Sequence, residues 1–331
     1  MSRRTAKLFD LTFKSIIKNA SSSAVVHLIN GIYKKSYPLD TPVKIEPTEF
    51  VKEHPKSGKL EKIVSDIIVT LSGENFRDTY LMEAQINDDA EMSLRIFNYS
   101  IFTALEGRKV SDDGSSMQID MPSPAVIFWE ASKVKDIVSI EKRFPDERTV
   151  VYKVPVFKVL EHSVSELEGM ALLLPFYILK IRKELRRKSM NSAKRKALSR
   201  KLENYIIEIG KALNKCMKNN YITSKDATML FHRLLNMNLE LYGQYPEFTE
   251  ADMTLQQVVD AGMGEIWVYD RTVKAIDEAI ARGESINPDE ILKEARATVL
   301  IAKAMKKGGE TVDKIVRYTG LLRREVMALR S

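Results

Sequence analysis

Three polar residues lie in two neighbouring apolar segments of this chain, at a spacing that could support metal-dependent hydrolysis. Asp66 opens the segment SDIIVTL, and Glu83 and Gln85 stand two residues apart in the segment TYLMEAQI. Successive residues of a strand point to opposite faces, so Glu83 and Gln85 share a face while Ala84 points to the other. If the two segments pair as a hairpin, Asp66 approaches Glu83 across the ladder. The pattern therefore predicts two carboxylates and an amide on one face of a sheet.

This combination of groups fits the chemistry of phosphodiester cleavage. Two carboxylates at close range repel each other unless a cation joins them. Oxygen ligands from Asp66, Glu83 and the backbone carbonyl of Ala84 suit Mg²⁺ (or Mn²⁺), which keeps several waters that a phosphate can displace. Gln85 is then placed to orient the attacking water in a metal-assisted hydrolysis.

A structural interpretation competes with this one. Asp66 would cap its strand, Glu83 would form an ion pair with Arg77 or Arg95, and Gln85 would be a satisfied polar residue on a half-exposed face. The D-x16-E-x-Q spacing is a weak pattern, and by itself it does not decide between the two interpretations.

The elements that must position these residues follow from the apolar periodicity. Residues 6–33 have helical spacing, interrupted by ASSS at 20–23. The β-branched segments KIVSDIIVTL and TYLMEAQI predict a hairpin, residues 88–106 a helix, and AVIFWEA and RTVVYKVPVFKVL further strands. The segment TPVKIEPTEF contains Pro42 and Pro47, which limits it to an edge strand or a loop.

Helix dominates the chain from residue 163 onward. Ser163 and Glu166 form a capping-box pattern at the start of an apolar segment, in which Pro175 predicts a kink or a boundary. Pro288 after Asn287 marks a helix start. No strand pattern occurs in this half, so the element order predicts an α/β core followed by a long all-helical extension.

Length and composition limit the class of protein. The 331 residues suggest two or three units, and the apolar fraction of 44% is that of a globular protein. No apolar run reaches the roughly 18 residues that span a bilayer, and no signal peptide is evident. The single cysteine, Cys216, excludes a disulfide framework and a cysteine zinc site. We therefore expect a cytoplasmic protein without a membrane partner.

The net charge of +7 is unevenly distributed along the chain. Residues 180–218 contain 14 Lys and Arg against 3 Asp and Glu, so this block carries +11. A basic block on a helical pattern is the electrostatic footprint of a phosphate partner, although a solvated helix face is the alternative. The cations expected to hold DNA are Arg186, Arg187, Lys194 and Arg195.

Several segments, taken in order, resemble one nuclease family. The pair SDIIVTL and TYLMEAQI followed by MSLRIFNYSIF is similar to the PD-(D/E)XK nuclease family transposases, the Rpn recombination-promoting nucleases. The opening FDLTFKSII…VVHLINGIY, the later LEGMALLLPFYILK and the tail TVDKIVRYTGLLRREVMAL also resemble this family. The resemblance covers most of the chain and implies an αβββαβ-type core, a divalent metal and DNA cleavage.

The resemblance assigns roles to individual residues. Asp66 matches the first metal-binding aspartate and Glu83 the second carboxylate. Gln85 stands where many nucleases of the wider superfamily have lysine, so it orients water but supplies no positive charge. Asp10 matches an acidic residue of the first helix, with an ion pair to Lys14 as the alternative.

Two further residues match the family's R-x-x-x-Y pattern. Arg95 and Tyr99 lie one helical turn apart in the helix that follows Gln85. We expect Arg95 near a substrate phosphate or near a carboxylate of the site. The alternative is that Arg95 and Glu83 form a purely structural ion pair.

The C-terminal tail, residues 287–331, predicts a helix, a Gly-Gly break, a short helix, a turn at Thr319-Gly320 and a last helix. This arrangement resembles a helix-turn-helix, with Arg323, Arg324 and Arg330 available to DNA. The alternative is an αα-hairpin that packs on the body or on a second subunit.

Together these observations predict a restriction-endonuclease-like α/β core with a mixed sheet flanked by helices. The predicted divisions are a nuclease-like core at 1–162, a basic helical region at 163–286 and the tail at 287–331. The first hypothesis is a Mg²⁺- or Mn²⁺-dependent endonuclease acting on DNA, most simply double-stranded, and promoting recombination. The second is a DNA-binding accessory protein of a mobile element with a decayed nuclease core. An RNA substrate and a homodimer both remain open.

Overall fold

The computed structural model describes residues 3–46, 49–53, 60–64, 67–86, 91–129, 134–187, 190–282 and 287–329. Asp66 and Arg330 lie outside these ranges, and the side chain of Arg324 is likewise not described. The chain forms two compact units, residues 1–183 and 184–331. The predicted division between residues 162 and 163 falls inside the first unit.

The first unit begins with two helices, α1 (Arg3–Asn19) and α2 (Ser22–Tyr33). Ser21 separates them, and its hydroxyl accepts a 3.3 Å hydrogen bond from the backbone N–H of Ala24. A serine at this position satisfies one of the N–H groups that a helix start leaves without a partner. The serine-rich break predicted at 20–23 is thus confirmed.

Strands dominate the described part of residues 43–158, and helix α3 (Met92–Glu106) follows the fifth strand. The strands are β1 (Val43–Glu46), β2 (Glu49–Glu53), β3 (Leu60–Val64), β4 (Ile67–Gly73), β5 (Phe76–Gln85), β6 (Lys109–Val110), β7 (Met117–Gln118), β8 (Ser123–Phe128), β9 (Ile137–Arg143) and β10 (Thr149–Lys158).

Six strands form one mixed sheet in the order β1-β4-β5-β8-β10-β9. The β4–β5 hairpin is antiparallel, with register from Ile67↔Met82 to Gly73↔Phe76. Strand β8 pairs in parallel with both β5 and β10. Strand β1 lies at the edge, as its neighbouring prolines require. The pairs β2–β3 and β6–β7 form separate two-stranded sheets.

The edge strand β9 was not predicted from the sequence. It pairs antiparallel with β10, in register from Ile137↔Pro155 to Arg143↔Thr149. Its residues alternate between exposed and half-buried, so it lacks the apolar run that marked the central strands. A strand with this alternation is typical of a sheet edge.

Helix α3 covers one face of the six-stranded sheet. Its residues Met92 and Ile96 are buried against a cluster of sheet side chains. The buried sheet members of this cluster are Ile68, Leu81, Val126, Phe128, Val154 and Val156. Since residues of one strand face share a parity, Glu83 and Gln85 lie on the same face of β5 as Leu81.

A long apolar segment was expected to form a kinked helix after Ser163. The Ser163–Glu166 box is present, with the Ser163 N–H donating to Glu166 Oε2 at 2.7 Å. The following segment Glu168–Ile181 is instead a 3-10 helix containing Pro175, with Met170 outside helical geometry. Proline has no N–H to donate within a helix, which disfavours a regular α-helix here. This segment packs against α2, and the Phe176 ring stacks on Trp129 with centroids 4.0 Å apart.

A cluster of tyrosines joins α2 to strand β5. The Tyr33 ring lies 4.5 Å from the Tyr80 ring, and the Tyr37 and Tyr80 hydroxyls are 2.6 Å apart. The Tyr37 hydroxyl also donates a hydrogen bond to the Asp78 carboxylate. Burial, followed by this hydrogen bond, raises the pKa of Tyr37 well above its ordinary value.

The second unit is helical throughout its described residues. Short α4 (Arg182–Leu185) spans the division between the units, and the longer helices follow. They are α5 (Ser192–Lys218), α6 (Ser224–Tyr242), α7 (Thr249–Arg282), α8 (Pro288–Lys307), α9 (Val312–Thr319) and α10 (Arg323–Ala328). Asn191 caps α5, and a capping box between Thr223 and Asp226 starts α6.

The tail has the predicted order of elements. Helix α8 begins at Pro288, the chain turns after Gly308, and Gly320 ends α9 in the left-handed conformation with φ 64°. Buried side chains from α7 to α10 form a small core: Val268, Ala295, Val299, Ala302, Ile315, Leu321, Val326 and Leu329. None of the helices in the described part of the chain is long and apolar enough to cross a bilayer.

Candidate active site and basic surfaces

The position of Glu83 follows from the place of β5 in the sheet. Strand β5 runs between β4 and β8, where Glu83 is in register with Val126. Only 5% of Glu83 is exposed, and its face of the sheet also carries the buried apolar side chains of Leu81 and Val126. A buried carboxylate is costly unless cations or hydrogen-bond donors compensate it. The groups that donate to Glu83 therefore determine whether its charge is stable in this position.

Two donors converge on one oxygen of Glu83. The Gln85 side-chain Nε2 donates to Glu83 Oε1 at 3.3 Å, and Nη2 of Arg95 lies 3.4 Å from the same oxygen. Arg95 comes from the first turns of α3 and is 37% exposed along its side chain. The structure thus joins Glu83, Gln85 and Arg95, and the Arg95–Glu83 ion pair expected from the sequence is present.

The remaining predicted site residues have different surroundings. Ala84 lies between Glu83 and Gln85 and is in register with Ile127. Asp10 pairs with Lys14 on α1, with Nζ 3.0 Å from Oδ1, which is the local alternative predicted for it. Tyr99 packs against the α3 side of the sheet core. Asp66 precedes β4 in the sequence but lies outside the described residues.

Oxygen donors at this site suit a hard divalent cation. Glu83 offers a buried carboxylate, and a glutamine side chain carries an amide oxygen as well as its donor nitrogen. Within the described ranges, His, Cys, Asp and Glu form no group of three or more that could hold a metal. Asp66, the second carboxylate expected from the sequence, lies outside those ranges.

A polar cavity on the same face of the sheet was not predicted. It encloses about 490 Å³ beside the C-terminal end of α3. Glu46 on β1 lines it, with Lys44 Nζ 2.7 Å from Oε2 and Arg77 Nη2 3.8 Å from Oε1. The hydroxyls of Thr70 and Thr79 meet across β4 and β5 at 3.2 Å. The recurrence of polar residues at alternate positions of β1, β4 and β5 is the sequence signal for it.

The four cations of the basic block predicted to hold DNA differ in exposure. Arg186, Arg187 and Lys194 are exposed. Arg195 is half-buried, with Nη1 3.4 Å from Glu247 Oε1 and its guanidinium 5.5 Å from the Tyr245 ring. These contacts leave Arg195 less accessible to solvent than the other three cations.

Helix α5 presents additional exposed cations on the face opposite its buried residues. Lys196, Arg200 and Lys211 lie on this face, which extends over about 22 Å of helix. Repeated cations along an exposed helix attract a polyanion through long-range electrostatics. These exposed cations make part of the α5 surface positively charged.

The tail brings one predicted DNA contact into an intramolecular pair. The Arg323 guanidinium contacts the Asp313 carboxylate of α9, although both side chains are mostly exposed. Lys306 of α8 donates to the backbone carbonyls of Val326 and Met327 at 2.9 and 3.0 Å. The last turn of α10 is thus held against α8.

Comparison of the chain with protein-family models, with curated proteins and with solved structures gave no match.

Proposed function

We propose that this chain is a Mg²⁺- or Mn²⁺-dependent DNA endonuclease with a PD-(D/E)XK-type core, acting in the cytoplasm and resembling the transposase-like members of that group. The observation that carries the proposal is the buried Glu83 carboxylate with Gln85 beside it, both on one face of a central strand. A carboxylate at this depth is costly unless cations compensate it, and both the Arg95 guanidinium and a bound divalent metal are suitable cations.

The metal would be held by Glu83 and the Ala84 carbonyl, with Asp66 as the second carboxylate. When bound, a divalent cation supplies Lewis-acid activation of the phosphodiester and of a water. Gln85 contributes a neutral amide that orients water without adding positive charge. The exposed cations of the second unit contribute affinity for the phosphate backbone, which does not depend on base sequence.

Plasmid cleavage tests the proposal directly. The purified chain should nick or linearise plasmid with Mg²⁺ or Mn²⁺ and should be inactive when a chelator is present. Glu83→Gln and Asp66→Asn should each abolish cleavage while preserving the circular dichroism spectrum and the melting temperature. Cleavage that persists in both variants would exclude this site as the catalytic centre.

A matched control separates the loss of a catalytic carboxylate from the loss of any strand glutamate. Glu141 lies on β9, where its Oε1 is 2.8 Å from Arg143 Nε, and it is half exposed. Glu141→Gln therefore removes a carboxylate with an arginine partner at a site away from β5. It should leave cleavage unchanged.

A second function is favoured by one feature of the site. Gln85 supplies no cation, and Glu83 Oε1 already has donors from Arg95 and Gln85. These contacts suit a decayed nuclease core in a DNA-binding accessory protein. Salt-sensitive DNA binding without cleavage under any metal condition would favour that function. Cleavage of RNA alone would instead change the substrate of the first proposal.

A further inference from the structure

One cation is already present at the candidate metal ligand. Nη2 of Arg95 lies 3.4 Å from Oε1 of Glu83, the oxygen that the Gln85 amide also approaches. The carboxylate is buried, whereas more than a third of the Arg95 side chain is exposed. The guanidinium therefore reaches inward from solvent to compensate a charge in the sheet.

The two ends of this ion pair have different freedom to move. Glu83 belongs to a central strand with neighbours on both sides, so its backbone is held by the sheet. Arg95 has a long side chain with several rotatable bonds, and its backbone is held in the helix by the bond from its N–H to the Glu91 carbonyl. Displacement of the guanidinium costs less than displacement of the carboxylate.

We propose that Arg95 is the resident counter-ion of Glu83 in the metal-free chain and competes with the metal for this carboxylate. This inference rests on the proposed function. On metal binding the Arg95 guanidinium leaves Glu83 and becomes available to a substrate phosphate, which it can bind through two parallel hydrogen bonds. Arg95 is thus a positioning residue that keeps Glu83 in place before the metal binds.

Mn²⁺ binding to the full chain, measured by isothermal titration calorimetry, tests the competition. Arg95→Gln should bind Mn²⁺ roughly three- to tenfold more tightly than the parent, a range typical of losing one partly exposed charge partner. Arg108→Gln is the matched control, because Arg108 is an exposed arginine just beyond the other end of α3. It should leave the affinity within twofold of the parent. An unchanged or lower affinity in Arg95→Gln overturns the inference.

Cleavage at saturating Mn²⁺ gives a readout that a purely structural arginine would not produce. We expect Arg95→Gln to bind the metal more tightly and yet to cleave at least tenfold more slowly, because the phosphate contact is lost. A variant that weakens both binding and cleavage would assign Arg95 a structural role and refute the competition. Parent chain that neither binds Mn²⁺ nor cleaves would refute the proposed function, and the inference with it.

The parent chain provides a second measurement in case Arg95→Gln does not fold. Side-chain resonances of ¹⁵N-labelled arginine can be followed during a Mg²⁺ titration, with Arg95→Lys used to assign the signal. The Arg95 resonance should shift with the same midpoint as the metal binding isotherm, while the Arg108 resonance stays in place. An Arg95 resonance that does not respond to saturating Mg²⁺ overturns the inference.

Discussion

Replacing Gln85 by alanine tests whether its contact with Glu83 serves stability, catalysis or both. The amide Nε2 donates to a buried carboxylate oxygen at 3.3 Å, beyond the most common length for such a bond. Hydrogen bonds to charged groups contribute about 1.5–3 kcal/mol, and this long one should lie near or below the lower limit. Because Arg95 remains beside the same oxygen, we expect Gln85→Ala to lower the free energy of unfolding by about 1 kcal/mol.

A similar amide–carboxylate pair elsewhere in the chain provides the control. Gln118 Nε2 donates to Asp120 Oδ1 at 3.1 Å, also two residues along the chain, but on an exposed segment. Water replaces that contact when it is lost, so Gln118→Ala should change the free energy of unfolding by less than about 0.5 kcal/mol. Urea denaturation followed by circular dichroism measures both variants under the same conditions.

Catalysis should respond far more strongly than stability. Loss of one positioned catalytic donor typically costs about 10²-fold or more in turnover, and we expect this for Gln85→Ala at saturating Mn²⁺. Gln85→Lys should retain cleavage or raise it, since a cation there stabilises charge on the phosphate. The added lysine also lies near Arg95 and repels the metal, so cleavage must be measured across metal concentration. If Gln85→Ala cleaves as fast as the parent at saturating metal, Gln85 has no catalytic role.

DNA binding should weaken with salt, with a log–log slope of about −0.9 per neutralised phosphate, and a triple charge-removal variant should weaken binding and flatten that slope. The three positions are Arg186, Arg187 and Lys194. Equal binding by the parent and the triple variant at every salt concentration would show that the basic block is only a solvated helix face. Arg195→Gln should instead lower the free energy of unfolding, because half-buried Glu247 loses its arginine partner. The folded chain holds the Tyr37 proton more tightly than the unfolded chain does, so the free energy of unfolding should fall as the pH rises above about 10. Tyr37→Phe should make this fall shallower in urea titrations from pH 8 to 11, and an unchanged slope would contradict the assignment. Lys306→Met should speed amide hydrogen exchange in α10 at least tenfold, because the last carbonyls of a helix lack partners within it, whereas exposed Lys307→Met should leave that exchange unchanged.

Local signals in the sequence accounted for much of the fold. The period-two alternation of TYLMEAQI placed Glu83 and Gln85 on one face, since a strand offers its side chains only two directions. Turn and cap residues were equally informative. The serine-rich break precedes α2, Pro288 begins α8 and Gly320 ends α9, each at the predicted position. Strand faces and helix ends depend on residues that are close in the sequence, so a short segment is enough to predict them.

Long-range pairing was decided by the tertiary structure. The sequence does not specify that β8 pairs in parallel with β5 and β10, or that β9 completes the edge of the sheet. These choices depend on which arrangement buries both faces of the central strands at once. The 3-10 geometry of Glu168–Ile181 likewise reflects packing on α2 together with its internal proline.

At the candidate site, too, the sequence determined some features and the tertiary structure determined others. The sequence alone determined that a carboxylate and an amide share one face of a strand, and that an arginine follows on the next helix. Only the tertiary structure decided that Arg95 reaches Glu83, and that Arg195 is paired with Glu247 rather than presented to solvent. The physical reason is burial: a charge removed from water must find its partner in space, and that partner is 12 residues away for Glu83 and 52 residues away for Arg195.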